Sequence, residues 1–249
     1  MKQYFSFQWH ITDECDQRCK HCYIFSENCN KKLDAMSWQQ MQDTFYNCLD
    51  FCEVYDSLPY FYITGGDPIL HPDFWKLLGL MKQHNVPFTI LGNPFHLTDE
   101  VCRRLKEYGC EKYQLSSDGL RRTHDWFRKP GSFDITLEKI GCINRAGIRS
   151  VVMTTVSGTN IDEVPGIIDA VVAAGVMSLR SPVTVLPARK RMSASSRCAT
   201  ASCSLTATRN PRNTRPQAAR PTLTRKITCG RCMSTKPGRS KSPKPWRTV

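Results

Sequence analysis

The sequence predicts an α/β fold in which strands and helices alternate along one parallel sheet. Three observations carry this expectation. Strand-like and helix-like segments take turns from Phe5 to Ala174. Helical stretches end on stop signals at Gly147 and Gly175. No internal repeat or linker interrupts residues 1–175. Strict alternation argues for βα units, whose right-handed crossovers gather the functional loops at the carboxyl ends of the strands.

Taken in order, Phe5–Thr12 reads as the first strand. Ser37–Val54 has helical spacing, with Ser37 as its N-cap. Tyr60–Thr64 is a second strand, ending in Gly65-Gly66. Asp73–His84 reads as a helix and Pro87–Leu91 as a third strand. Thr98 caps a helix that runs through Tyr108. Tyr113–Ser116 is a fourth strand, Asp134–Ala146 a helix, Ser150–Thr155 a fifth strand and Ile161–Ala174 a helix. The aromatic stripe Phe45, Phe51 and Tyr55 and the scattered cysteines 48, 52, 102 and 142 fit buried helix faces.

The net charge of +13 over 249 residues first suggests a nucleic-acid partner. Its distribution removes that case. Residues 176–249 hold 17 Lys and Arg and no Asp or Glu. That leaves 18 basic against 22 acidic residues in 1–175, a net charge of −4. The folded part has no electrostatic footprint for nucleic acid. No run approaches a membrane span, and the start lacks a signal peptide's apolar stretch, so a cytoplasmic location is expected. In that setting 13 cysteines suggest metal ligation or burial rather than a disulfide framework.

Chemistry concentrates in Cys15-Asp-Gln-Arg-Cys19-Lys-His-Cys22, directly after the first strand. Thiolates are soft ligands for iron. Three of them on one loop can face one cubane and leave its fourth iron open for a substrate or cofactor. A zinc site with His21 as fourth ligand is the other reading of this spacing.

Cys-x3-Cys-x2-Cys followed by the aromatic Tyr23 resembles the signature of the radical SAM family. The resemblance implies a (β/α)6 barrel, here partial and truncated after about five βα units. It implies a [4Fe–4S] cluster on Cys15, Cys19 and Cys22, whose open iron binds S-adenosylmethionine (SAM). Reductive cleavage of SAM then gives a 5′-deoxyadenosyl radical that abstracts a substrate hydrogen. Gly65-Gly66-Asp67-Pro68 stands where the family usually carries Gly-Gly-Glu-Pro, and its glycines are expected to admit the methionine amino group. Leu91-Gly92-Asn93-Pro94 matches a loop that often reads Thr-Asn-Gly, which makes Asn93 a cofactor contact or a turn residue.

Ser116-Ser117-Asp118-Gly119 resembles the family's Ser-x-Asp-Gly. Ser116 is expected to bind SAM, and Asp118 to face the substrate pocket. His124-Asp125, Arg128 and Gly131-Ser132-Phe133 continue a series similar to that of peptide maturases with a SPASM extension. On that resemblance Asp118 and His124 are candidate radical-relay or proton-handling groups. Thr154 and Thr155 are candidate cofactor contacts. The implied partners are a precursor peptide and a reductant such as flavodoxin or ferredoxin. A chain that binds cluster and SAM without turnover is the alternative.

From Val176 the composition turns to Ser, Thr, Arg, Pro, Ala and Lys, with Trp246 as its one aromatic residue. Such a segment buries too little apolar surface to offset chain entropy, so 176–249 is expected to be a disordered tail. Cys198, Cys203, Cys229 and Cys232 lack the periodicity that would place them around a second cluster. A one-base shift of reading frame near codon 177 explains the segment. Moving the frame back one base turns Ser codons of the TCN type into Phe, Leu, Ile or Val codons and restores acidic residues. The sheet would then lack a sixth strand and expose an edge. Resequencing the coding DNA around codons 170–180 in several isolates is expected to reveal the shift; one uninterrupted frame encoding Met177–Val249 in all of them contradicts it.

Overall fold

Alternating side chains in Tyr4–His10 and Leu58–Thr64 build the first two strands, β1 and β2, paired in parallel from Tyr4–Leu58 to His10–Thr64. The structure is a computed structural model that describes residues 2–25 and 33–180. The sheet continues through β3 (Phe88–Leu91), β4 (Cys110–Ser116), β5 (Arg149–Met153) and β6 (Ser178–Arg180). All pairs are parallel and sheet order equals chain order. Helices α1 (Trp38–Val54), α2 (Phe74–Gln83), α3 (Asp99–Glu107), α4 (Arg121–Phe127), α5 (Ser132–Arg145) and α6 (Val164–Ala173) fill the connections.

The two faces of the sheet differ as their residues dictate. Phe61, Ile63, Phe88, Ile90 and Leu115 are fully buried in one core with Phe45 of α1, Leu77 and Met81 of α2, and Ile140 and Ile143 of α5. Each such side chain contributes about 1.5–3 kcal/mol on leaving water. The register row Gln8, Tyr62, Thr89 and Lys112 occupies the other face, which is polar.

The expected caps are present. Ser37 and Gln40 form a reciprocal capping box at α1, with the Ser37 N–H donating to Gln40 Oε1 at 2.8 Å. Thr98 Oγ1 accepts the Val101 N–H at 3.1 Å to start α3.

Two features depart from the sequence reading. The sheet does not stop after five strands, because β6 pairs with β5 from Val151–Ser178 to Met153–Arg180. Val176 and Leu179 still pack on the core, so the last apolar alternation outlasts the change in composition by a few residues. The seven-residue α4 was also not expected. The tail beyond Arg180, its four cysteines and Cys29 lie outside the described residues.

Candidate functional site

The cysteine loop leaves β1 at the carboxyl end of the sheet and is held on three sides. Across β2, the Gly66 N–H donates to the Thr12 carbonyl and the Asp67 N–H to the Glu14 carbonyl, both at 2.7 Å. A Cβ on Gly65 would overlap the Thr12 carbonyl, and one on Gly66 the Glu14 carbonyl. The room left by the two missing side chains is therefore filled by the loop's own backbone. On the second side, the Asp13 N–H donates to the Asp34 carbonyl at 2.7 Å.

The third side is α4. The Lys20 N–H donates to the Phe127 carbonyl at 2.8 Å, and Lys20 Nζ lies 3.6 Å from the Trp126 ring centroid. His21 meets Phe127 edge to face. Asp125 secures the far end by accepting the Gly131 and Phe133 N–H groups at 2.7 and 2.9 Å. The residues of the Ser116–Phe133 motif series thus join the cysteine loop to the start of α5.

Cys15, Cys19 and Cys22 are half-buried free thiols. Asn93 Nδ2 lies 3.6 Å from Cys15 Sγ, and Arg128 Nη1 lies 3.7 Å from Cys19 Sγ. Burial pushes the Cys15 thiol up to about 11 and also raises Cys19, where the Arg128 charge opposes it. The thiolates therefore form when a cation arrives at sulfur. The three sulfurs do not form a set lying within 4.8 Å of one another, and neither do they with His21. One tetrahedral zinc, with Zn–S of about 2.3 Å, would hold them roughly 3.8 Å apart.

Asp118 is the hub behind the loop. It is 1% exposed. Its Oδ2 accepts from Arg128 Nε and Nη2, both at 2.7 Å, with His21 Nε2 at 3.4 Å, and its Oδ1 accepts the Thr155 N–H at 2.9 Å. Its own N–H donates to His124 Nδ1 at 3.1 Å, and its carbonyl accepts from Asn160 Nδ2 at 2.8 Å. The carboxylate is engaged by Arg128 and by the Thr155 N–H. His124, 0% exposed, is likewise internal. Burial, helped by the Arg128 charge, drives its pKa down to about 4, so it is a neutral acceptor.

The remaining candidates fall around this loop. Tyr23 is exposed, with its hydroxyl 3.0 Å from His10 Nδ1. Asn93 joins both readings made for it: Oδ1 accepts the Phe95 N–H as in a turn, while Nδ2 serves Cys15 and Asp16. Ser116 ends β4 and is half-buried; Thr154 and Thr155 follow β5 beside it. The Cys19-facing role of Arg128, and the placing of Asp16, His96 and Asn160, were not legible, since each depends on neighbours 10 to 109 positions away.

The profile of the Radical SAM superfamily matches residues 9–171. The chain belongs to the radical SAM superfamily. It is 30% identical over 162 residues to the mycofactocin maturase MftC of Mycobacterium tuberculosis, covering 62% of this chain and 39% of that protein. It is 28% identical over 157 residues to an AdoMet-dependent heme synthase of Nitratidesulfovibrio vulgaris, covering 61% and 41%. The fold matches the Streptococcus suis SuiB structure bound to its precursor peptide SuiA, with TM-score 0.58 and 14% identity over 73% of this chain and 39% of that one. The chain thus spans about two fifths of the length of these relatives. Radical SAM proteins use a [4Fe–4S] cluster and SAM, and the donor set fits that cluster: three free sulfurs on one clamped loop, two of them facing N–H donors.

Two outcomes are expected of the Asp118 hub. Arg128→Met leaves a buried carboxylate without its cation and is expected to cost about 3–5 kcal/mol in urea denaturation. The depressed pKa of His124 means the unfolded chain binds the extra proton between about pH 6.5 and 4. Its contribution is therefore intact above pH 6.5 and lost as pH falls through that window, by up to about 3 kcal/mol at roughly 1.4 kcal/mol per unit. Stability profiles of wild type and His124→Asn are expected to differ in slope there and to run parallel above pH 7.

Proposed function

We propose that Cys15, Cys19 and Cys22 hold one [4Fe–4S] cluster with an open iron, and that the chain cleaves SAM reductively to modify a ribosomally made peptide. The observation that carries the reading is the clamped loop with three free cysteines in a chain whose residues 9–171 match the radical SAM superfamily. When bound, the cluster and SAM supply the electron transfer and the 5′-deoxyadenosyl radical.

The chain's own residues bind, orient and shield. Asn93 and Arg128 offer N–H groups to Cys15 and Cys19, which stabilises charge on the thiolates and raises the potential of the group they hold. Asp118 fixes the Arg128 guanidinium and, through the Thr155 N–H, the end of β5. It acts as a positioning residue, with His124 behind it as a neutral acceptor. Ser116, Tyr23 and Thr155 stand at the carboxyl ends of the strands, where SAM would lie.

A peptide substrate is supported by the Ser116–Phe133 motif series, by a relative named as a maturase and by the fold shared with a structure that holds a precursor peptide. A low-potential donor such as flavodoxin or ferredoxin would supply the electron. The acidic balance of 1–175 argues against nucleic acid as partner. Among the described residues no helix is long and apolar enough to cross a membrane; a cytoplasmic location rests on the sequence reading. The second reading, a cluster and SAM binder without turnover, rests on the composition of residues 176–249 alone.

The test is anaerobic reconstitution of the full chain followed by dithionite reduction with SAM. The expected result is release of 5′-deoxyadenosine, lost when the three cysteines become alanine. Cluster without cleavage supports the second reading, and full iron loading of the triple-alanine variant overturns both.

A further inference from the structure

The surface beside the cysteine loop differs from the rest of the folded region in charge and in shape. Trp126 of α4 is 48% exposed, and Lys20 Nζ lies 3.6 Å from its ring centroid. Residues 120–130 hold four cations, Arg121, Arg122, Arg128 and Lys129, against one acid, Asp125. That net charge of +3 stands within a region, 1–175, whose balance is −4. Asp125 is engaged by the Gly131 and Phe133 N–H groups, Arg128 by Asp118, and Arg121 by Asp134. Lys20 and Arg122, both exposed, are therefore the principal charges around the indole.

This patch adjoins the sulfurs. The Trp126 and Phe127 rings meet edge to face with centroids 4.8 Å apart, and Phe127 and His21 do so at 5.5 Å. His21 precedes Cys22 directly and follows Cys19 by two residues. Arg128, two residues after Trp126, brings Nη1 to 3.7 Å from Cys19 Sγ. A short run of touching rings thus joins the exposed indole to the loop that carries the sulfurs. Another exposed aromatic cluster, Tyr4, Phe5 and Tyr55, gathers around Phe51 at the amino end of β1, on the opposite rim of the sheet.

An electron bound for the three cysteines has to enter from outside, and electron transfer weakens steeply with distance. A donor must therefore dock beside the loop. Electron-transfer encounters use small interfaces, under about 1,200 Å², and opposite charges set their speed and their salt dependence. Trp and Arg are enriched among the side chains that hold such contacts together. An exposed indole with Lys and Arg around it fits an acidic partner and repels a basic one.

We propose that Lys20, Arg122 and Trp126 form the docking face for a small acidic electron-transfer protein. The partner's reduced flavin or iron–sulfur centre gives up one electron and is oxidised by one, and the group held by Cys15, Cys19 and Cys22 gains it. The proposal rests on the cluster reading, because only a chain that holds such a group needs a donor. Docking is measured without turnover, so the two fail separately.

The experiment titrates the full chain, reconstituted anaerobically, with oxidised flavodoxin and with oxidised plant-type ferredoxin, both acidic. Oxidised carriers bind without passing an electron, so the binding curve is independent of SAM cleavage. The expected result is saturable binding of at least one carrier, weakened at least about fivefold between roughly 50 and 300 mM salt. Arg122→Glu and Trp126→Ser are each expected to weaken it at least about tenfold. Lys82→Glu, the same charge change on an exposed residue in the last turn of α2, is expected to leave it unchanged. Arg122→Glu is also expected to slow SAM cleavage driven by the carrier while cleavage driven by dithionite stays at the wild-type rate, which shows the variant to be folded. Binding of neither carrier, binding indifferent to salt, or wild-type affinity in Arg122→Glu would overturn the docking face. Failure of SAM cleavage with dithionite and carriers alike would overturn turnover instead and leave the binding result standing.

Discussion

Two backbone hydrogen bonds, from Gly66 and Asp67 to the Thr12 and Glu14 carbonyls, fix where the cysteine loop begins. They extend the β1–β2 pairing past the ends of both strands, so the loop starts as a continuation of the sheet. Side chains at 65 and 66 would force the two segments apart. The placing of all three cysteines depends on this clamp. Cys15 sits one residue beyond it, and Cys19 and Cys22 are carried on to α4, where Lys20, His21 and Arg128 close the other side.

The loop is held by elements that are far apart in sequence and adjacent in the sheet. A parallel sheet with chain order equal to sheet order places every strand's carboxyl end on one rim. The loops that leave β1 and β3 therefore meet there, which brings Asn93 and Asp16 together across 77 positions. The far half of the rim is tied through Asp118, whose oxygens accept from Arg128 and from the Thr155 N–H. A low-dielectric environment strengthens this pairing and makes its loss costly.

Much of this was legible in the sequence because it is local. The alternation of strands and helices comes from side-chain periodicity, and the caps at Ser37 and Thr98 from residues three positions apart. The cysteine spacing announced its loop for the same reason. Other features were hidden because they are contacts. The use of Gly65 and Gly66 by the loop backbone, the engagement of Asp118 and the meeting of Asn93 with Asp16 leave no trace in spacing. α4 is short and offers no long amphipathic pattern; the structure reveals it through what it grips. β6 was obscured because it is three residues long and lies where the composition changes.

The central physical claim is that one loop, fixed from both sides, presents three sulfurs to three different irons. Mössbauer spectroscopy of the anaerobically prepared chain loaded with ⁵⁷Fe measures this directly. The expected spectrum is that of one four-iron cluster, with one iron site altered on adding SAM and the whole signal lost on replacing Cys15, Cys19 and Cys22. A spectrum of isolated mononuclear iron, or one that survives loss of the three cysteines, would contradict it.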